Sequence, residues 1–249
     1  MVSGKYSALS GAIAREQAIA NVSSNMANIS TTGYRRSQVS FEAILRGEQQ
    51  TQEAKGINYN RIRRNFTDFT GGPIRQTEDQ LNFAIEGDGF FKIQGANGPL
   101  YTRRGDFKVN AQGLLMTSND LPVLDEGNGQ ITIPDTDTSK IAVADDGTIS
   151  LLGQQGARAE VGKMAIVGVS DKQKLKRESD TSFSLEADAT EQPLENTRVI
   201  QGSLELSNIN MSAELTQMID NYRTFETYHK VLKSYSTIGE SGDELGTLG

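Results

Sequence analysis

The chain has 249 residues, 36% of them apolar and only 6% aromatic, which allows a sizeable but thin and elongated core. A net charge of −7, with a sequence pI near 4.9, excludes nucleic acid and anionic membrane surfaces as main partners. The absence of cysteine excludes disulfides, thiolate metal sites and cysteine nucleophiles, and no run approaches the roughly 18 apolar residues that span a bilayer.

The first predicted element is a helix over 3–26. Leu9, Ala12, Ile13, Ile19, Val22, Met26 and Ile29 fall on one stripe of it, interrupted by Glu16. Lys5 followed by Tyr6 to Ala14 imitates a secretory leader, but Ser7, Ser10 and Gly11 break the apolar stretch, so a cleaved signal peptide is not expected. The helix should stop in the polar run from Asn28 to Gly33, where glycine can adopt the left-handed conformation and Ser and Thr compete for backbone hydrogen bonds. Tyr34 to Leu45 suggests extended chain and then a short helical piece. Gly47 to Asn60, polar and rich in Gln, Glu and Thr, reads as a mobile or partner-ordered linker.

From about Ile74 the texture becomes short apolar runs separated by turns. Phe83 to Ile85, Phe90 to Ile93, Phe107 to Val109, Gly113 to Met116 and Leu121 to Leu124 are of strand length. So are Ile131 to Ile133, Ile141 to Val143, Thr148 to Ser150, Met164 to Val167 and Phe183 to Leu185. Asp88-Gly89, Asn97-Gly98, Gln112-Gly113 and Asn128-Gly129 are hairpin dipeptides. The spacing therefore predicts an α+β, mainly β chain. Its expected divisions are an N-terminal helix and following segment over 1–36, an extended linker over 37–73, a central all-β domain over 74–195, and a return segment with a C-terminal helix over 196–249.

The C-terminal helix has N-cap candidates in Ser207 to Asn210, an acidic Glu214 near its start, and an expected end at Gly239 and Gly242. Met211, Leu215, Met218, Tyr222, Phe225, His229 and Leu232 follow one another in steps of four and three along it. A two-helix hairpin leaves much apolar surface uncovered, so these stripes predict pairing between the termini together with association with other copies or partners.

No constellation marks an active site. His229, the only histidine, sits on the seam and reads as a packed or interfacial side chain. Asp135, Asp137 and Ser139, with Asp146 at the twelfth position, faintly resemble a calcium loop, but Lys140 holds the place of the sharp-turn glycine and the final Glu is replaced by Asp. Gly87 to Lys92 lacks the spacing of a nucleotide fingerprint and leads into a strand. Arg61, Arg63 and Arg64, and Lys172, Lys174, Lys176 and Arg177, are basic clusters that read as solvated faces or as register-setting contacts with an acidic neighbour. Neither a metal nor a cofactor is expected.

Three motifs then carry a resemblance. Asn25-Met-Ala-Asn-Ile-Ser-Thr-Thr-Gly33-Tyr34-Arg35-Arg36 is similar to the N-terminal signature of the flagellar basal-body rod and hook proteins. Ile85-Glu-Gly-Asp-Gly-Phe-Phe91 with Tyr101-Thr-Arg-Arg-Gly-Asp-Phe107 is similar to their central segment. Gln201-Gly-Ser-Leu-Glu-Leu-Ser-Asn-Ile-Asn210, followed by Glu214-Leu215, Met218-Ile219 and Phe225-Glu226, resembles their C-terminal signature. The opening Ser3-Gly-Lys-Tyr-Ser-Ala-Leu-Ser-Gly-Ala12 resembles the proximal-rod type more than the distal-rod type. The resemblance implies terminal helices paired as a coiled coil, a β domain outside them, and a structural subunit that assembles with its own copies and other rod proteins across the periplasm. It also implies passage through the flagellar export apparatus without a cleaved signal. The assembly interface it implies comprises Leu9, Ile13, Ile19, Val22, Met26, Asn28, Gly33, Met211, Leu215, Met218, Tyr222, Phe225 and Leu232. Two rival readings are a β-domain module that binds a cell-wall component and a hook-type tubular subunit. A third, a hydrolase, would need a deep cleft with two carboxyl groups roughly 5 to 10 Å apart.

Overall fold

The computed structural model describes residues 2–46, 57–134, 141–153, 158–194 and 197–247. The chain forms two compact units, one of Met1–Ala27, Ser37–Asp68 and Ile209–Gly249, the other of Asn28–Arg36 and Phe69–Asn208.

The first unit holds helix α1 (Val2–Ala27), strands β1 (Ser37–Arg46) and β2 (Ile57–Thr67), and helix α2 (Met211–Thr247). The strands pair antiparallel from Ser37 opposite Thr67 to Arg46 opposite Ile57, with a bulge at Ser40/Phe41. The short helical piece expected after Tyr34 does not form, and Ser37–Arg46 is extended throughout. Val39 and Phe41 alternate there with Ser40 and Glu42, a period of two that suits a strand. Only the end of the expected linker, from Ile57, is described, and it is strand; 47–56 lie outside the described residues. Arg61, Arg63 and Arg64 fall on β2.

Helix α2 begins where the cap residues place it. The Asn210 side-chain oxygen accepts from the Ala213 N–H at 3.2 Å, and the Asn210 carbonyl accepts from the Glu214 N–H at 3.0 Å. Its end lies beyond the one expected, since the helix runs through Gly239 and Gly242 to Thr247. An interior glycine costs a helix only about 1 kcal/mol, and no proline follows Met211 to terminate it.

The second unit contains a six-stranded antiparallel sheet in the order Leu175–Arg177, Ser182–Leu185, Gly98–Thr102, Phe90–Gly95, Ile166–Val169, Glu191–Gln192. A three-stranded sheet joins Arg158–Lys163, Thr148–Leu152 and Ile141–Val143, and Phe107–Val109 pairs with Leu115–Thr117. Phe90–Gly95 explains its own run of apolar residues. Phe91 and Ile93 join one buried cluster with Phe83, Ile85, Leu115 and Ile149, while Phe90 joins another with Tyr101 and Phe183, so the strand is covered on both faces. Asn97-Gly98 makes the expected hairpin, with Gly95 opposite Gly98. Asp88-Gly89 does not, because the strand before it, Phe83–Glu86, pairs instead with Arg198–Gln201. Likewise Ser203–Glu205 pairs with Ile74–Gln76. These two pairings extend the β unit to Asn208, past the boundary at 195 expected from texture alone.

Candidate assembly surfaces and the signature junction

Within the first unit, α1 and α2 run antiparallel and meet along small residues. A Cβ at Gly4 would collide with the hydroxyl end of Tyr235, and one at Gly11 with the ring of Tyr228. Farther along, Arg15 Nη1 donates to Asn221 Oδ1 at 3.0 Å, and Asn25 Nδ2 donates to Glu214 Oε2 at 3.2 Å. Ala8, Ala12, Ala18, Val22 and Asn25 are buried on α1, and Glu214 is buried on α2, with Met218, Asn221, Phe225, Tyr228, Leu232 and Tyr235 half-buried on the face that follows it.

Only part of the expected stripes lies in this seam. Val22 is buried and Ile19, Met26, Met218, Phe225 and Leu232 are half-buried, whereas Leu9, Ile13, Met211, Leu215 and Tyr222 are exposed within the single chain. The physical reason is closeness of approach. Glycine and alanine let the tyrosine rings of α2 lie against the α1 backbone, and the larger Leu9 and Ile13 are left on the other side. Tyr6 on α1 and Ile219 on α2 add to the outward set at 52% and 51% exposure.

The second unit brings the three sequence motifs together around one carboxylate. Glu205 Oε1 accepts from Arg35 Nη2 at 2.6 Å and from the Gly72 N–H at 2.8 Å, and Oε2 accepts from Arg103 Nη1 at 3.2 Å. The Glu205 carbonyl also accepts from the Gly33 N–H at 2.8 Å. Arg35 is fully buried, and Arg103 and Glu205 nearly so. Burial pulls the Arg103 guanidinium below its ordinary pKa, opposed by the attraction of Glu205. Arg103 is further held by the carbonyls of Ile85 at 3.2 Å and Gly87 at 2.7 Å. Two guanidinium groups thus share one carboxylate, and Arg35 Nε and Nη1 and Arg103 Nε have no acceptor among the described residues.

Gly33 supplies the conformation that this junction needs. Its φ is +67°, and a Cβ would run into the backbone of Arg103 and Arg104, so no larger residue fits. It lies six residues beyond the end of α1 and shapes the docked turn rather than stopping the helix. Asn28, half-buried, accepts from the Thr31 hydroxyl at 3.0 Å. Arg177 closes the same region. Its guanidinium lies 4.9 Å from both the Tyr34 and Phe183 ring centres and donates to the Arg35 carbonyl at 2.6 Å.

The other candidates are ordinary surface or packing features. His229 is exposed, with its ring edge-on to Phe225 at 4.5 Å between centres. Lys172 pairs with Asp88 at 2.6 Å and Lys174 with Asp188 at 2.7 Å, so that basic cluster meets acidic neighbours of its own unit. The stretch 135–140 of the calcium-like loop lies outside the described residues, and Asp146 accepts from the Thr148 N–H at 3.1 Å. A cleft of about 650 Å³ has Lys92 and Glu191 in its lining. Lys92 pairs with Glu191 at 2.6 Å, and Glu191 accepts from the Tyr101 hydroxyl at 2.6 Å. Burial, and then the bond to Glu191, push the Tyr101 phenol above its usual range. Burial alone would raise Glu191, but its bonds from Lys92 and Tyr101 outweigh this and hold it below the ordinary carboxylate value. Among the described residues no helix is long and apolar enough to cross a membrane.

Comparison with known proteins bears on the same three motifs. Residues 6–35 match a family described as flagella basal body rod protein, 84–151 the flagellar hook protein FlgE/F/G D1 domain, and 200–245 the flagellar basal body rod FlgEFG protein C-terminal. The chain is 32% identical over 237 residues to the flagellar basal-body rod protein FlgF of Caulobacter vibrioides, covering 91% of each chain. It belongs to the flagellar basal-body rod protein family. The rod protein FlgG of Bacillus subtilis is 30% identical over 96% of this chain and 97% of its own, and FlgF of Rhizobium meliloti is 31% identical over 100% and 99%. Both FlgF and FlgG are thus candidates for the type of this rod protein. Its role is structural rather than enzymatic, as a subunit of the basal-body rod that serves motility.

The sequence reading named Gly33 and Asn28 from the junction but not Arg35, Arg103 or Glu205. All three stand inside the quoted motifs. Glu205 gave one signal, a charge set between Leu204 and Leu206, but nothing in a single sequence pairs it with positions 170 and 102 residues away.

Proposed function

We propose that α1 and α2 wind together as an antiparallel coiled coil, and that rod subunits stack by burying the outward apolar residues of both helices against neighbouring copies and other rod proteins. The carrying observation is the outward set itself. Leu9 and Ile13 on α1 are 43% and 47% exposed, and Leu215, Ile219 and Tyr222 on α2 are 42%, 51% and 55% exposed. Large apolar side chains grouped on adjacent turns mark a surface that another protein covers. Contacts between unlike surfaces that do not close build a filament, which is the form a rod requires.

In this reading Leu9, Ile13, Met211, Leu215 and Tyr222 touch neighbouring subunits. Ile19, Val22, Met26, Met218, Phe225 and Leu232 keep the helix pair in shape, and Asn28 and Gly33 seat the N-terminal signature. The subunit occupies the proximal rod across the periplasm and arrives through the flagellar export apparatus without a cleaved signal, which the interrupted apolar stretch at Ser7, Ser10 and Gly11 supports. The double substitution Leu215→Asp/Tyr222→Asp tests the assembly surface. Both side chains are exposed, so the variant keeps its circular-dichroism spectrum and melting temperature while failing to restore rods and swimming to a strain lacking the gene. Restored swimming, or a variant that does not fold, overturns the assignment.

A further inference from the structure

The seam between α1 and α2 repeats itself. Gly4, Gly11, Ala18 and Asn25 are spaced by seven residues, and so are Glu214, Asn221, Tyr228 and Tyr235. Gly4 receives Tyr235, Gly11 receives Tyr228, and Asn25 meets Glu214, so the two sets lie in one antiparallel register. A slide of one heptad, about 10 Å at 1.5 Å per residue, still sets a small residue opposite a tyrosine ring. Displaced one way, Gly11 receives Tyr235 and Ala18 comes level with Tyr228. Displaced the other way, Gly4 receives Tyr228. Small residues opposite aromatic rings therefore favour pairing but do not choose among registers.

Two polar contacts distinguish the registers. Arg15 to Asn221 is a half-buried contact, with the guanidinium also over the Phe41 ring at 4.4 Å, so water can in part replace what a slide removes. Asn25 to Glu214 is different, because Asn25 is 1% exposed and Glu214 is 0% exposed. Asn25 is itself held at both ends of its amide, donating to the Ser37 carbonyl at 2.8 Å and accepting from the Ser37 N–H at 3.0 Å. It is thus anchored to the first residue of β1, and its remaining N–H faces Glu214. In the slide that sets Glu214 level with Ala18 the carboxylate loses this donor and faces a methyl group, and in the opposite slide it passes beyond the end of α1 at Ala27; either way a buried hydrogen bond to a charged group is lost, which is costly.

We propose that the buried Asn25–Glu214 contact is the register key of the terminal helix pair, selecting one seating from those that the Gly/Ala–Tyr packing permits. A single buried polar residue specifies register in coiled coils in the same way, at some expense of stability. The proposal concerns helices within one chain and is measured on dilute single chains, so a failure of subunit stacking leaves it standing.

The test places spin labels at the exposed positions Gln17 and Lys233 through Gln17→Cys and Lys233→Cys, in a chain that has no cysteine of its own. Residue 17 lies level with about residue 222, so the axial offset to 233 is about 16 Å, changing to about 6 or about 27 Å on a slide of one heptad. Pulsed electron paramagnetic resonance should give one distance for the otherwise unaltered chain. Glu214→Leu, which leaves Asn25 its Ser37 partner, should add a population displaced by about 10 Å while helix content is retained. Glu214→Gln, which keeps an acceptor for Asn25, should restore the single distance. A single unshifted distance in Glu214→Leu, loss of its helix signal, several distances in the unaltered chain, or a displaced population in Glu214→Gln each overturns the proposal.

Discussion

Replacing Glu205 by leucine removes the only carboxylate that Arg35 and Arg103 contact in salt bridges among the described residues. The side chains of both arginines are almost wholly buried, at 1% and 5% exposure, and that of Glu205 at 2%, so water cannot replace the lost partner. Removing one member of a buried pair costs about 3–5 kcal/mol because a charge is stranded. Two charges are stranded here, together with the Gly72 N–H, which puts the expected loss at or above about 5 kcal/mol. A domain's whole stability is about 5–15 kcal/mol. Urea unfolding followed by circular dichroism and tyrosine fluorescence should therefore show the β unit near or past its midpoint in water. The triple variant Arg35→Leu/Arg103→Met/Glu205→Leu strands no charge and should recover much of the loss. A Glu205→Leu protein within about 1 kcal/mol of the starting stability, below even the cost of one stranded buried charge, refutes the reasoning. So does a triple variant less stable than the single one.

Two further outcomes follow from other contacts. Gly11→Val should reduce helix content by driving a side chain into the Tyr228 ring, and Tyr228→Ala in the same chain should restore it by opening the space; a Gly11→Val chain with full helix content would count against the seam. In the Lys92–Glu191–Tyr101 network, Glu191 has a depressed pKa. Its contribution is present above the unfolded carboxylate value of about 4.3 and is lost as pH falls through the lower folded value. The stability advantage over Glu191→Gln should accordingly shrink on acidification below about pH 4, and an advantage that grows there would contradict it.

Much of the fold was legible because local chemistry and tertiary context agree. Phe90 to Ile93 is strand-like by composition and is the strand covered on both faces. Asn210 caps α2 as its side chain suggests. The β unit's true limit was hidden because Arg198–Gln201 and Ser203–Glu205 find their partners more than 100 residues upstream. The helix seam was half legible for another reason. Hydrophobic periodicity weighs Leu9 and Ile13 above Gly4 and Gly11, yet contact between two helices rewards closeness, which glycine permits and leucine prevents. Arg35 and Glu205 were opaque because burial of a charge depends on its distant counter-charge and leaves no mark on local pattern.

The placement of Glu205 also gives the chain a timetable. Phe83–Glu86 and Ile74–Gln76 emerge early, but the strands that cover their edges end at residues 201 and 205, and the Arg35 and Arg103 guanidinium groups wait as long for their counter-ion. A chain released from its N-terminus onward therefore carries unsatisfied strand edges and unpaired charge until about four-fifths of it has appeared. The edges of Phe83–Glu86 and Ile74–Gln76 can be covered, and the two guanidinium groups neutralised, only once those late residues are present.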